Sequence, residues 1–355
     1  MRSLVLVGPR RLEWQDPPAP RLSAPTDALL RPIASAACDL DRRIVASPSP
    51  FEPPFALGHE AVGEIVDLAG DTAGLRVGQR VVIPWHISCG TCENCRRDLP
   101  GACVSVPRLA SYGTSVGGHW GGLFDELVRV PWAEHNLTPL PPAVDPFLAA
   151  SAADNLTDAF QAVRPTLAAH PDAEVLVVGG TVSLGLLTTL SAVGLGAAKV
   201  TYLDTDGTRC ATASALGATA VPVSAYPDRL EGRFDLVVDA SAATEGFRCA
   251  LLSTRPGGTC VIRSVYFAEL RLPYFTLYAT GINLVTGPPH ASPHVPEVLR
   301  LIDDGTLDPS PVLAGPFSYD DAVEILREPP PAKPVFTHGE PPDDARPLIH
   351  RNSGQ

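Results

Sequence analysis

Hydrophobic and polar positions divide the chain into two regimes. From residue 1 to about 150 the apolar runs are short and broken by proline and glycine, as in Ala28 to Pro32, Ala61 to Leu68, Gln79 to Pro84 and Glu126 to Pro131. Short runs with frequent turn signals predict an irregular, barrel-like β domain. Met1 to Gly8 predicts a first strand, its apolar run being too short for a signal peptide. Between Asp145 and Val163 the period lengthens, with Pro146 followed by Phe147, Leu148, Ala152 and Ala153, and predicts helix.

From Ala173 the pattern changes. Glu174 to Val178, Lys199 to Leu203, Leu236 to Asp239, Cys260 to Ile262 and Ile282 to Val285 are continuous Val/Leu/Ile-rich runs. Helical stretches alternate with them, including Thr208 to Leu216, which predicts a parallel sheet covered on both faces. The most apolar stretch, Val182 to Ala198, is interrupted by Ser183, Gly185, Thr188, Thr189 and Ser191, and predicts a buried helix in place of a membrane span. Beyond Gly287 the chain is expected to return to the first domain, with a helix over Val295 to Asp303 and a closing strand over Lys333 to Thr337. The polar tail from Glu340 is expected to be poorly ordered. The expected organisation is a β-rich domain from residues 1–154 and 288–355 and an α/β domain from residues 155–287.

Composition narrows the partners. A length of 355 residues suits two domains, and 45% apolar residues are enough for a substantial core. The net charge of −12 argues against nucleic acid or an anionic membrane as partner. No export signal is evident. The eight cysteines therefore read as metal ligands and reduced thiols of a cytoplasmic protein, not as a disulfide framework.

The cysteines are not scattered. Cys89, Cys92, Cys95 and Cys103 form a C-x2-C-x2-C-x7-C cluster in a Gly/Pro-rich, charged lobe at about residues 86–105. Four thiolates from one loop make the donor set of a closed structural zinc site. Iron on the same thiolates is the alternative. Upstream, Cys38 precedes Gly58-His59-Glu60 by about twenty residues, and Cys38 with His59 would suit a zinc that keeps a coordination position open. Cys210, Cys249 and Cys260 fall in helix or strand patterns and read as buried small residues.

Downstream, Gly179-Gly180-Thr181-Val182-Ser183-Leu184-Gly185 stands where a strand ends and a helix begins. Backbone amides at such a helix start hold a dinucleotide's diphosphate. Val182 stands where the middle glycine of G-x-G-x-x-G would be if Gly180 and Gly185 are the outer two; one inserted residue accounts for the spacing equally well. Asp204 ends the next strand, where a carboxylate accepts the adenosine ribose hydroxyls and repels a 2′-phosphate. That favours NAD, while Arg209 keeps NADP in view. A turn cap is the alternative role for Asp204.

Taken in order, Cys38-Asp39-Leu40-Asp41, Gly58-His59-Glu60, the four-cysteine cluster, the Val177 to Gly185 turn and Asp204 resemble the zinc-dependent medium-chain alcohol dehydrogenase family over nearly the whole chain. The resemblance implies a GroES-like catalytic domain plus a Rossmann doubly wound coenzyme domain, one catalytic and one structural zinc, and hydride transfer between an alcohol carbon and NAD(P). By position it implies Cys38 and His59 as catalytic zinc ligands, Asp41 as the carboxylate orienting the histidine, and Glu60 as a neighbour of the metal. Where the family often has Cys-Gly-x-x-Thr-Ala-Tyr, this chain has Asp154-Asn155-Leu156-Thr157-Asp158-Ala159-Phe160. Asp154 is therefore expected as third ligand, and Asp158 near the nicotinamide or a polar substrate. Zinc with one thiolate, one neutral imidazole and one carboxylate sums to zero charge. Lys333 is expected to reach the diphosphate. Leu40 stands where the family often has a proton-relaying Ser or Thr. Trp85, His86 and Trp120 are candidates for the substrate pocket or for loop anchoring. The implied assembly is a homodimer or homotetramer.

The expected activity is oxidation of an alcohol, or reduction of its aldehyde or ketone, with NAD(H). Leu40 leaves open reduction of a conjugated C=C or C=N bond on the same scaffold. A non-catalytic dinucleotide-binding subunit is the third reading.

Overall fold

The computed structural model describes residues 1–338 apart from 47, 48, 71, 73 and 233; the tail from Glu340 lies outside the described residues. Most of the β-rich region is one seven-stranded sheet. Its path runs Leu313–Ser318, Lys333–Thr337, Ala28–Ala36, Glu60–Leu68, Arg80–Ile83 and Thr138–Pro139, with Val128–Val130 paired to the third of these. Ala28–Ala36 is the hub. One edge pairs antiparallel with Glu60–Leu68, and the other is shared by Lys333–Thr337 at one end and Val128–Val130 at the other. The sequence pattern ends this strand at Pro32, but the chain continues to Ala36 through register shifts at Leu29/Leu30 and Pro32/Ala34. Proline lacks the ladder donor, and an irregularity absorbs that loss without ending the strand. Ser3–Gly8 lies between Arg11–Gln15 and Phe55–Ala56 in a small second sheet.

The second region is a six-stranded sheet in the order Thr219–Pro222, Lys199–Asp204, Glu174–Val178, Phe234–Asp239, Thr254–Ile262 and Asn283–Thr286, with every pair parallel. Its continuous apolar runs serve two cores at once. Val175 and Val177 pack with Leu156, Phe160 and Leu187, from the helices Asn155–Ala169 and Leu184–Gly194. Leu176 and Val178 pack into a different cluster with Phe247 and Leu251 of the helix Thr244–Ser253. Alternate side chains of a strand point to opposite faces, so both faces must be apolar. This is the α/β architecture with a GroES-like companion that the sequence predicts.

The first of those clusters also takes in Ala34, Ala36, Val62 and Val82 of the other region, through the buried segment Ala149–Ala153. The two sheets therefore share apolar packing at the junction where Asp154 caps the helix Asn155–Ala169. Among the described residues no helix is long and apolar enough to cross a membrane.

Candidate active site and metal centres

Strand pairing assembles the first metal centre. Ala36 pairs with Glu60 and with Val335, which brings Cys38, His59 and Lys333 to one end of the sheet. Gly58 turns the chain into His59 with φ of 95°. A Cβ there would collide with the Phe124 ring, so the turn needs glycine. Asp154 enters from the start of its helix. One donor atom from each of Cys38, His59, Glu60 and Asp154 lies within 4.8 Å of all the others, and all four residues are buried.

Cys38 Sγ is 3.5 Å from Asp154 Oδ2, and His59 Nε2 is 3.6 Å from the same oxygen. Around one zinc, sulfur at about 2.3 Å and nitrogen or oxygen at about 2.0–2.2 Å sit roughly this far apart in a tetrahedron. Asp41 holds the set from behind: Oδ2 accepts the Cys38 amide at 2.9 Å, and Oδ1 lies 3.3 Å from His59 Nδ1.

The electrostatics fit a cation. Burial opposes charge on His59, but Asp41 and Asp154 hold its pKa well above the ordinary value. Burial also works against the Asp154 carboxylate, yet His59 and Lys333 keep it below its usual range. Burial and the Asp154 charge push the Cys38 thiol up. These donors together stabilise a positive charge at their centre, which zinc supplies while ionising the thiol.

Lys333 departs from expectation. Its amine is buried and donates to Glu60 Oε1 at 2.9 Å, Asn155 Oδ1 at 2.8 Å and the Ala37 carbonyl at 3.1 Å, instead of projecting toward a diphosphate. The reason is register: Lys333 opens the strand that pairs with Ala36, so its side chain arrives beside Glu60. Burial raises the Glu60 pKa to about 8 even against the Lys333 charge. Asn155, which the sequence reading passed over, donates to both Cys38 Sγ at 3.2 Å and Asp154 Oδ2 at 3.0 Å. Its place beside a proposed ligand was the available signal.

The second centre is built from one loop. Cys89, Cys92, Cys95 and Cys103 bring their sulfurs within 4.8 Å of one another, with Cys92 Sγ and Cys103 Sγ 3.8 Å apart. A tetrahedron of thiolates at about 2.3 Å from zinc has edges of about 3.8 Å. Backbone amides of Thr91 and Cys92 donate to Cys89 Sγ. Burial works against the Cys89 thiolate, but these bonds and Ser105 bring its pKa down to about 5. Cys210, Cys249 and Cys260 are buried and belong to neither centre.

On the coenzyme side, Gly179 and Gly180 form the turn after Glu174–Val178. A Cβ on Gly179 would meet Tyr202 and Asp204, and Gly180 has φ of 152°. The turn thus has the tight form that a dinucleotide cradle requires. Thr181 closes it, donating to the Ala240 carbonyl, and Gly185 falls in the first turn of the helix Leu184–Gly194. Asp204 is less open than expected. It is fully buried; Arg209 donates to both of its oxygens at 2.7 and 2.8 Å, and Tyr202 Oη donates to Oδ2 at 2.6 Å. The amides that lead into the helix are also engaged, by the carboxylate of Asp39: Oδ1 accepts from Val182 at 2.8 Å and Oδ2 from Leu184 at 3.0 Å.

A cleft of about 580 Å³ joins the metal centre to this side. Cys38, His59 and Asp154 line it, with Leu40, Phe51, Trp85, Leu109 and Val116 as apolar wall and Thr181 and Leu184 on the coenzyme side. Asp158 also lines it, one helical turn from Asp154, 3.0 Å from Arg263 Nε. Burial raises the Asp158 pKa to about 7 despite that guanidinium. Arg263 was not anticipated, since nothing in its strand-end position marks it. Two pocket candidates fall elsewhere. His86 is buried below the wall, its Nε2 3.2 Å from Ser292 Oγ, because the bulkier Trp85 takes the cleft-facing place. Trp120 is anchored to the Gly117 carbonyl and lines a different cavity near the N-terminal strand.

A parallel nucleotide-type sheet, a GroES-like sheet, a four-thiol lobe and an open Cys/His/carboxylate centre at the floor of the joining cleft define a zinc-dependent dehydrogenase. Known proteins share these features. Residues 24–142 match the alcohol dehydrogenase GroES-like domain, and residues 183–304 match the zinc-binding dehydrogenase domain. A probable zinc-binding alcohol dehydrogenase of Mycobacterium tuberculosis is 28% identical over 91% of this chain and 84% of its own length. An L-threonine 3-dehydrogenase of Chelativorans is 30% identical over 75% of this chain and 77% of its own. The structure of an alcohol dehydrogenase from Thermus superposes with a TM-score of 0.81 at 27% identity, covering 95% of this chain and 99% of the other. The chain belongs to the zinc-binding medium-chain alcohol dehydrogenase family.

Proposed function

We propose that this protein oxidises an alcohol to its aldehyde or ketone, and reverses that reaction, with NAD(H) as coenzyme and zinc on Cys38, His59 and Asp154. The observation that supports this most is the buried donor cluster at the floor of the cleft. Zinc there supplies a Lewis acid that lowers the pKa of an alcohol oxygen, and the nicotinamide supplies the hydride acceptor. The chain's own residues do the positioning. Asp41 holds the Cys38 amide and lies against His59 Nδ1, Asn155 holds Cys38 and Asp154 in place, and Lys333 ties Glu60 beside the donors. Cys89, Cys92, Cys95 and Cys103 hold the second zinc, which braces the lobe.

The apolar wall of Leu40, Phe51, Trp85, Leu109 and Val116 suits a substrate whose carbinol carbon carries apolar substituents. Leu40 carries no proton. In the lining of the same cleft Ser111 Oγ and Thr114 Oγ1 share a hydrogen bond at 2.9 Å and offer hydroxyls for the relay that Leu40 does not. Leu40 also sustains a second reading, reduction of a conjugated C=C or C=N bond.

The proposed coenzyme domain spans residues 155–287 and the catalytic domain residues 1–154 and 288–355. The edge strand Asn283–Thr286, exposed along its length, offers the seam for a homodimer or homotetramer. Eight unpaired cysteines suit a reducing, cytoplasmic setting.

Zinc content per chain, followed by NAD(H)-linked turnover on panels of alcohols, ketones, enones and imines, tests the proposal. Two zincs with alcohol turnover support it. Enone or imine reduction without alcohol oxidation moves the assignment to the second reading. One zinc in both wild type and Asp154→Ala overturns the catalytic centre.

A further inference from the structure

The helix Leu184–Gly194 follows the glycine turn, and the amides leading into it, from Val182 to Leu184, are the donors that an anionic diphosphate would use. A carboxylate of the chain already sits on them. Asp39 Oδ1 accepts from the Val182 amide at 2.8 Å; Oδ2 accepts from the Ser183 amide at 3.1 Å, the Leu184 amide at 3.0 Å and Ser183 Oγ at 2.7 Å. Asp39 is not a local cap. It comes from the other region of the chain, at the start of the helix Asp39–Ala46, next to Cys38.

We propose that Asp39 is a built-in competitor for the coenzyme diphosphate and sets how tightly this protein binds its dinucleotide. The inference rests on the dinucleotide reading of the proposed function. Two anions cannot share the same three amides at hydrogen-bond distance, so the diphosphate must expel the carboxylate. The adenosine end is held in a matching way: Asp204, which would receive the ribose hydroxyls, is saturated by Arg209 and Tyr202. Release of Asp39 also reaches the metal. Ser183 Oγ, freed from Asp39, is 3.1 Å from Asn155 Oδ1, and Asn155 donates to Cys38 Sγ and Asp154 Oδ2. Asp39 and Ser183 are thus connected through Asn155 to the Cys38 and Asp154 donors.

The test compares wild type with Asp39→Gly and Asp39→Asn. Asn keeps the side-chain shape while removing the charge, so a Gly variant that folds poorly does not end the experiment. NADH and NADPH binding is read by fluorescence titration of the zinc-loaded protein, and inorganic pyrophosphate binding by thermal shift. Asp39→Gly is expected to bind NADH at least about tenfold more tightly, with Asp39→Asn between it and wild type, since Asn removes the charge but keeps an oxygen that can occupy the amides and Gly removes both. Pyrophosphate should raise the melting temperature of Asp39→Gly and leave wild type unmoved. Variants that gain neither NADH nor pyrophosphate affinity overturn the proposal, whatever wild type binds. A gain for pyrophosphate alone, with neither nucleotide bound by any of the proteins, upholds the competitor and removes the dinucleotide reading.

Discussion

The two metal centres are made in opposite ways. The four-cysteine lobe draws every donor from residues 89 to 103, and its supporting amides come from the same loop. The Cys38 centre draws its donors from three places in the chain and its supports from Asp41, Asn155 and Lys333. In the lobe, a bound metal and the loop would stabilise each other through residues that are neighbours in the chain. In the cleft, the strands of the β-rich sheet must already be paired and the segment Ala149–Ala153 packed on them before the donors meet. A local centre braces structure; a centre made at a junction can sense what binds there.

Breaking the lobe should cost most. Cys95→Ser removes one thiolate, and structural zinc supplies roughly 10 kcal/mol in small zinc domains. The expected outcome is one zinc lost per chain, with the melting temperature lowered by roughly 10 °C because the rest of the fold remains. Elemental analysis and a thermal melt check it, and an unchanged melt would mean the lobe is not braced by metal. Asp154→Ala should do the reverse. Zinc again falls by one per chain, the melt changes little, and turnover drops by about a thousandfold, the equivalent of several kcal/mol of lost Lewis-acid assistance.

Lys333→Met attacks the junction centre from behind. It leaves Glu60, already held largely neutral by burial, and Asn155 Oδ1 without their buried donor and should cost about 1–3 kcal/mol in urea unfolding. Adding Glu60→Gln should recover most of that; no recovery would show that Lys333 acts chiefly through Asn155 and the Ala37 carbonyl. Asp41→Asn should weaken zinc binding at the Cys38 centre by about 10–100-fold while the lobe keeps its metal, measured by competition with a chromogenic chelator.

The smallest effect concerns His86, packed beneath the cleft wall close to the lobe. Burial first, and then the positive potential of His135 and His290, lower its pKa to about 3. A histidine depressed in the folded state adds stability above its unfolded value near 6.5, and that stability is lost as pH falls from there toward 3. By pH 5 the loss is about 2 kcal/mol. His86→Gln should flatten this limb relative to wild type in unfolding measured from pH 7 to 5, and parallel curves would place the acid sensitivity elsewhere.

The resemblance to the family reached Asp154 by position, although the residue there is a carboxylate where a cysteine is common. It misplaced Lys333, because sequence position alone gives no register, and one pairing between Val335 and Ala36 decides where the amine goes. It passed over Asn155, Arg263 and Asp39 as site residues, since each acts through a partner more than a hundred positions away. His86 and Trp120 shared the local signals of Trp85, yet only Trp85 reaches the cleft.

What the sequence determined by itself is what local spacing can carry: the four-thiol lobe, the glycine turn, and the continuous apolar runs that require a sheet covered on both faces. Tertiary structure decided which distant groups meet. A hydrogen bond or ion pair depends on separation in space, and that separation is set by strand register and by the packing of the two regions around Ala149–Ala153. Those are properties of the whole chain at once. For that reason the placement of Asp39 on the helix Leu184–Gly194, of Arg209 on Asp204 and of Lys333 on Glu60 became visible only in the folded protein.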